Sequence, residues 1–120
     1  MRLKNILIVV NDIEASKKFY DELFGLKVKT DFGSNAILTE GLVLQERKIW
    51  EGATGISVSM GGHDAELYFE EADMDKFLEK LKNTEFKIGY LNECAVDGNG
   101  QRVVRLYDPD KHVIEVKETV

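Results

Sequence analysis

The chain holds one cysteine, Cys94, so no intrachain disulfide can form. That usage fits a reducing compartment. Basic residues are in deficit: 16 Lys and Arg stand against 22 Asp and Glu, a net charge of −6. This balance argues against nucleic acid or an anionic membrane as partner, since both need a basic surface. Long apolar runs are missing too. The first strand-like run, Ile6 to Val10, is too short for a signal peptide and has no small-residue cleavage site after it. No run approaches the ~20 apolar residues of a membrane helix. These absences predict a cytoplasmic protein. The sole proline, Pro109, sits in Asp108-Pro109-Asp110-Lys111, which reads as a tight turn.

What remains is an ordinary globular composition, 43% hydrophobic and 32% charged over 120 residues, enough for one domain. LKNILIVV (3–10) reads as a β-branched strand. It ends at Asn11-Asp12, where Glu14, three residues after Asn11, suggests a capping box. Ala15, Phe19 and Leu23, widened by Tyr20 and Phe24, give an amphipathic helix stopped by Gly25. LKVKTDF, AILTEG and LVLQER follow as three short strands. The order then recurs: AELYFE (65–70), a helix capped by Asp73 with Met74, Phe77, Leu78 and Leu81 on one stripe, a strand from Phe86 to Leu91, then RVVRLY and HVIEV. Asp97-Gly98-Asn99-Gly100 is a turn between strands. The chain therefore reads as module one (1–46), a connector (47–62) with a short strand at 55–59, and module two (63–120). The expected class is α+β: two paired β-α-β-β-β modules in a curled, mostly antiparallel eight-stranded sheet, helices outside and a cleft inside.

Side chains alternate along a strand. If Ile6, Ile8, Leu42, Leu44, Leu67, Phe69, Ile114 and Val116 face the helices, the other face carries Asn5, Gln45, Glu66 and Glu115 among Leu7, Val43, Tyr68 and Val113. Offsets of 61 and 70 residues make the four polar positions equivalent by repeat. Mostly apolar walls with a few polar groups are the makeup of a small-molecule site. Four oxygen donors suit Mg²⁺ or Mn²⁺ better than Zn²⁺. Without a metal, the two carboxylates could form an acid/base pair or attract a cation. Glu115 reads equally as a cross-strand partner for Arg105 or Lys117. Arg102 could clamp a ligand carboxylate or phosphate, or be a solvated strand charge. Trp50 could stack on a ligand or pack in a core or dimer interface. Cys94 reads as a small packing residue and His112 as a surface residue.

VNDIEASKKFYDELFGLKV resembles the opening of the vicinal oxygen chelate superfamily, which includes glyoxalase I, bleomycin-resistance proteins and extradiol dioxygenases. Val10, Asp12, Ser16, Phe19, Tyr20, Phe24 and Gly25 carry the match. DPDKHVIEV resembles its D-P-x-G-x-x-x-E-[LV] ending, with Lys111 where glycine is usual. The resemblance implies two paired modules forming a cleft, often completed in a homodimer. It implies metal ligands at Asn5, Gln45, Glu66 and Glu115, of which only Glu115 keeps the usual residue type. The only histidines, His63 and His112, fall elsewhere, which counts against an extradiol dioxygenase. Two functions stay open. One is a metal-dependent, glyoxalase-like lyase or isomerase of a small oxygenated metabolite, with Glu115 or Glu66 moving the proton. The other is a non-catalytic, drug-sequestering protein whose carboxylates, Tyr68 and Trp50 hold a cationic or aromatic ligand.

Overall fold

The computed structural model describes residues 1–119. The chain divides into two compact units between Ser59 and Met60. In the first, β1 (Ile6–Val10) leads to α1 (Ile13–Phe24), β2 (Val28–Asp31), β3 (Asn35–Leu38) and β4 (Leu42–Glu46). In the second, β5 (Glu66–Glu71) leads to α3 (Met74–Asn83), β6 (Gly89–Val96), β7 (Arg102–Tyr107) and β8 (Val113–Glu118). The sheet orders are β1-β4-β3-β2 and β5-β8-β7-β6, so the repeat extends from element order to topology. The eight strands form two mixed four-stranded sheets. In each, the first and last strands of the module pair in parallel and the other pairings are antiparallel.

Local chemistry explains the helix ends. Asp12 caps α1 by accepting a 3.1 Å hydrogen bond from the Ala15 amide. The capping box expected from Asn11 and Glu14 is therefore replaced by Asp12, and Glu14 pairs with Lys17 instead. Gly25 ends the helix with φ 68°, a conformation that glycine enters without a Cβ clash. Asp73 caps α3 in the same way through the Lys76 amide. The stripe of α1 buries Ile13, Ser16, Phe19, Tyr20 and Leu23, so Ser16 takes the place expected for Ala15. Phe19 and Tyr20 meet edge to face at 5.2 Å.

The cores follow the predicted face parity in most positions, but Ile6, expected on the helix-covered face, is exposed and Val43, expected on the other, is buried. Val10, Ala36, Leu38, Leu42 and Leu44 are buried in the first unit, and Val104, Leu106, Ile114 and Val116 in the second, with Met74, Phe77 and Leu81 of α3. Three further expectations change. The connector is a helix: Arg47–Thr54 forms α2, which packs against β4 and β1, and residues 55–59 pair as a strand with none of the described residues. The strand expected from Phe86 to Leu91 lies later, at Gly89–Val96. Cys94 is exposed on β6 rather than packed.

The burial pattern sets the cost of two changes. Leu106→Ala removes a fully buried side chain and should lower the unfolding free energy by about 3 kcal/mol. Cys94→Ser, at an exposed site, should change it by under about 0.5 kcal/mol. Urea unfolding monitored by circular dichroism checks both.

Candidate functional site

Strand register builds the site. In the second unit, Glu66 lies level with Val113 and Tyr107, and Tyr68 lies level with Glu115 and Arg105. Residues paired across a ladder share a face, so these two rows line the face opposite Leu67, Ile114 and Leu106. On the edge strand, Tyr90 pairs with Leu106 and Asn92 with Arg105, a bulge that leaves Leu91 and Asn92 opposite one residue. Both side chains consequently join the same wall. A pocket of about 540 Å³ opens there. Its apolar wall is Ala65, Leu91, Tyr107 and Val113; its polar groups are His63, Glu66, Asn92 and Arg105.

Glu66 and Glu115, the two candidate carboxylates of this face, have different surroundings. Glu115 is buried, and its Oε1 accepts from Arg105 Nε at 2.7 Å, with Arg105 Nη2 also at 2.7 Å. Arg105 Nη1 donates to Asn92 Oδ1 at 3.2 Å. Lys117, the other candidate partner of Glu115, goes to Asp97 at 3.0 Å. Glu66 is exposed and has no ion-pair partner among the described residues.

Tyr107 has two side-chain neighbours at its ring. The His63 ring lies 5.6 Å from it, and Lys111 Nζ sits 5.2 Å from its centroid. Gly61, at φ 72°, lets these two approach: a Cβ there would meet Lys111 Cβ at 3.2 Å and His63 Nε2 at 3.4 Å. His63, Asn92 and Arg105 were not singled out from the sequence as ligand contacts. The bulge that brings in Asn92 leaves no sequence signal. The alternation that placed Glu66 and Val113 on this face also places Arg105 there, and could have found it.

The other candidate residues lie as follows. In the first unit, Leu7 pairs with Val43 and Val9 with Gln45, so Asn5 falls level with Gly41, and Asn5 Oδ1 lies 3.8 Å from where a Cβ on Gly41 would be. Asn5 and Gln45 share a face but stand four register positions apart, roughly 13 Å along the strands. Glu66 and Glu115 stand two positions apart. The four are thus not equivalent by repeat: pairing makes Glu66 the counterpart of Leu7 when Glu115 is matched to Gln45. The Gln45 amide is occupied, with Nε2 donating to the Ser34 carbonyl at 2.9 Å and Oε1 accepting from Asn35 at 2.8 Å. Val43 is buried, Leu7 is partly exposed, and Trp50 lies on α2. In the second unit, Tyr68 is half exposed beside Glu115. Arg102 binds Asp75 at 2.6 Å and Glu118 at 3.0 Å, away from the pocket.

The Asp108–His112 turn leads from Tyr107 to Val113, two pocket residues. Asp108 is buried, and its Oδ1 accepts from the Asp110 and His112 amides while its Oδ2 meets His112 Nδ1 at 2.7 Å. Asp108, Asp110 and His112 offer ligand atoms within 4.8 Å of one another, but both Asp108 oxygens already hold the turn. His112 is therefore part of a turn clasp, half-buried rather than a surface residue. Lys111 adopts φ 72°, which explains why the resembling family has glycine there. Burial lowers the His112 pKa, but the Asp108 hydrogen bond and the charges of Asp108 and Asp110 outweigh it and hold the value above the ordinary 6.5. The folded chain thus favours the imidazolium. Its stabilisation is complete below the unfolded value and is lost as pH rises through the higher folded one. The melting temperature should fall across that window, and His112→Gln should flatten this part of the profile. Thermal unfolding from pH 5.5 to 8.5, with an NMR titration of the imidazole, checks this.

A comparison with curated protein sequences returns no match. Among solved structures, a protein of unknown function from Agrobacterium tumefaciens str. C58 is 35% identical, with a TM-score of 0.81 over 100% of this chain and 95% of that one. A glyoxalase-related enzyme from Fulvimarina pelagi is 19% identical, with a TM-score of 0.77 over 98% of this chain and 88% of its own. A lactoylglutathione lyase from Agrobacterium tumefaciens is 20% identical, with a TM-score of 0.73 over 98% and 92%. At those two identities the likeness is one of fold. The model of the glyoxalase-like domain matches residues 3–120. With nearly the whole chain matched, and the module repeat seen in both sheets, this chain belongs to the glyoxalase-like domain family of the vicinal oxygen chelate superfamily.

Proposed function

We propose that this protein captures a small organic molecule in the pocket of its second unit, without chemistry, and that Glu66 is the carboxylate that meets the ligand. The observation that supports this most is the division of labour between two carboxylates on one face. Glu115 is charge-matched by Arg105, whereas Glu66 lines the pocket without an ion-pair partner among the described residues. An apolar wall with a few convergent polar groups is what such sites are made of. The homodimer implied by the resemblance stays part of the proposal, and light scattering reads it directly.

The lyase or isomerase reading needs a metal, and the residues do not fit one well. Asn5 and Gln45 lie at different levels of their sheet, both polar atoms of the Gln45 amide are in hydrogen bonds, and the Glu115 charge is balanced by Arg105. No proton transfer through a metal is therefore assigned to Glu66 or Glu115.

A thermal-shift series separates the two. Chelator-stripped protein should gain no stability from Mg²⁺, Mn²⁺ or Zn²⁺, whereas a fragment set joining an aromatic ring to an alkylammonium group should contain members that raise the melting temperature by mass action. In ¹H–¹⁵N spectra, those members should shift amides of Leu91, Tyr107 and Val113. A metal-specific rise that Glu115→Gln abolishes would overturn capture in favour of metal chemistry. A fragment set that leaves those amides unmoved would remove the pocket as the site.

A further inference from the structure

The charges on the pocket wall say what the captured molecule carries. Arg105 on β7 leans across to Glu115 on β8, the strand between it and β5. Its guanidinium thus faces the same side as Glu66, which sits on β5 one row away, roughly 7 Å along the strand and, with β8 between, roughly 10 Å across it at the backbone, a gap the two long side chains narrow. A guanidinium has five N–H donors. Nε and Nη2 go to Glu115 and Nη1 to Asn92, three contacts among the described residues, which leaves two N–H groups for an incoming acceptor. Glu66 offers the opposite: a carboxylate that only accepts. Val113 stands beside Glu66 in its row, and the Tyr107 ring lies beyond it on β7, the strand of Arg105; both are apolar surface of the pocket, which His63 also lines.

Resting on the capture reading above, we infer that the pocket selects a zwitterionic ligand, its cationic group on Glu66, its carboxylate on Arg105, and a flat body against Tyr107 and Val113. Arg105 and Glu66 are then the specificity-determining pair. The sign of the wall sets the order of preference. The Arg105–Glu115 pair is neutral, so Glu66 makes this part of the wall net negative. A ligand that is only a cation keeps one of the two contacts. A ligand that is only an anion gains Arg105 but meets the repulsion of Glu66 and Glu115. Planar recognition of a carboxylate needs the guanidinium fork, so lysine at 105 keeps the charge beside Glu115 and loses the bidentate contact.

Three probes with one ring separate these terms: 4-(aminomethyl)benzoate carries both charges, benzylamine only the cation, and 4-methylbenzoate only the anion. Their affinities for the intact chain are read at pH 7 by calorimetry and by ¹H–¹⁵N shifts. The zwitterion should bind about tenfold tighter than benzylamine, and 4-methylbenzoate should be weakest. Glu66→Gln should erase the advantage over 4-methylbenzoate, and Arg105→Lys the advantage over benzylamine, each variant checked for an unchanged fold by its spectrum. Equal binding of the three probes, or preference for the anion, overturns the inference. So does failure of all three while other fragments still shift Leu91 and Tyr107, an outcome that leaves the pocket itself standing. If no fragment of any charge moves those amides, capture fails together with the zwitterion.

Discussion

The chemistry of the second unit turns on the ion pair between Arg105 and Glu115. The two residues are cross-strand partners on one face, and the arginine places two donors on one carboxylate oxygen at 2.7 Å. Glu115 is nearly out of solvent, so its charge requires a counter-charge there. Arg105 is more exposed, and it gives the pocket a guanidinium held in a fixed orientation by Glu115 and Asn92. Breaking such a pair leaves one member uncompensated. One interaction thereby answers a structural need and fixes a polar group at a concave surface.

Its neighbours follow from the same ladder. The bulge on β6 turns Asn92 toward Arg105 and adds Leu91 to the apolar wall. The Asp108–His112 turn sets where Tyr107 ends and Val113 begins, and the same turn holds Lys111 over the Tyr107 ring. Lysine in a left-handed conformation costs about 1 kcal/mol against glycine, and the contact with Tyr107 offsets part of it. The family ending D-P-x-G-x-x-x-E is thus physically legible in this chain: Asp108 organises the turn, position 111 needs a positive φ, and Glu115 lies on the sheet face that carries the pocket.

Face parity was readable from the residues, because a strand repeats every two positions and the helices require an apolar side. That alone put Glu66, Tyr68, Val113 and Glu115 on one face, where pairing finds them. Register was not readable. The offsets of 61 and 70 residues preserve parity yet miss the pairing by two residues, since counting from helix caps ignores how far each strand slides along its parallel partner. That slip is why Asn5 and Gln45 looked equivalent to Glu66 and Glu115. The helix of the connector was hidden by its short length and its glycines, and the β6 bulges, which depend on the partner strand, gave no pattern in sequence. Cys94 looked like packing because small apolar residues usually are, but β6 is the edge of its sheet.

The central claim is that two glutamates on one face do different work: Glu115 holds the sheet and Glu66 meets the ligand. The measurement that tests it most directly is thermal and urea unfolding of Glu66→Gln and Glu115→Gln side by side at neutral pH and moderate salt. Glu115→Gln should lose about 1–2 kcal/mol, the scale of a partly buried, charge-assisted contact after solvent screening. Glu66→Gln should match the parent or exceed it slightly, because an unpaired negative charge leaves an acidic chain. Equal losses in the two variants, or a larger loss for Glu66→Gln, would contradict the assignment of roles on which the pocket reading stands.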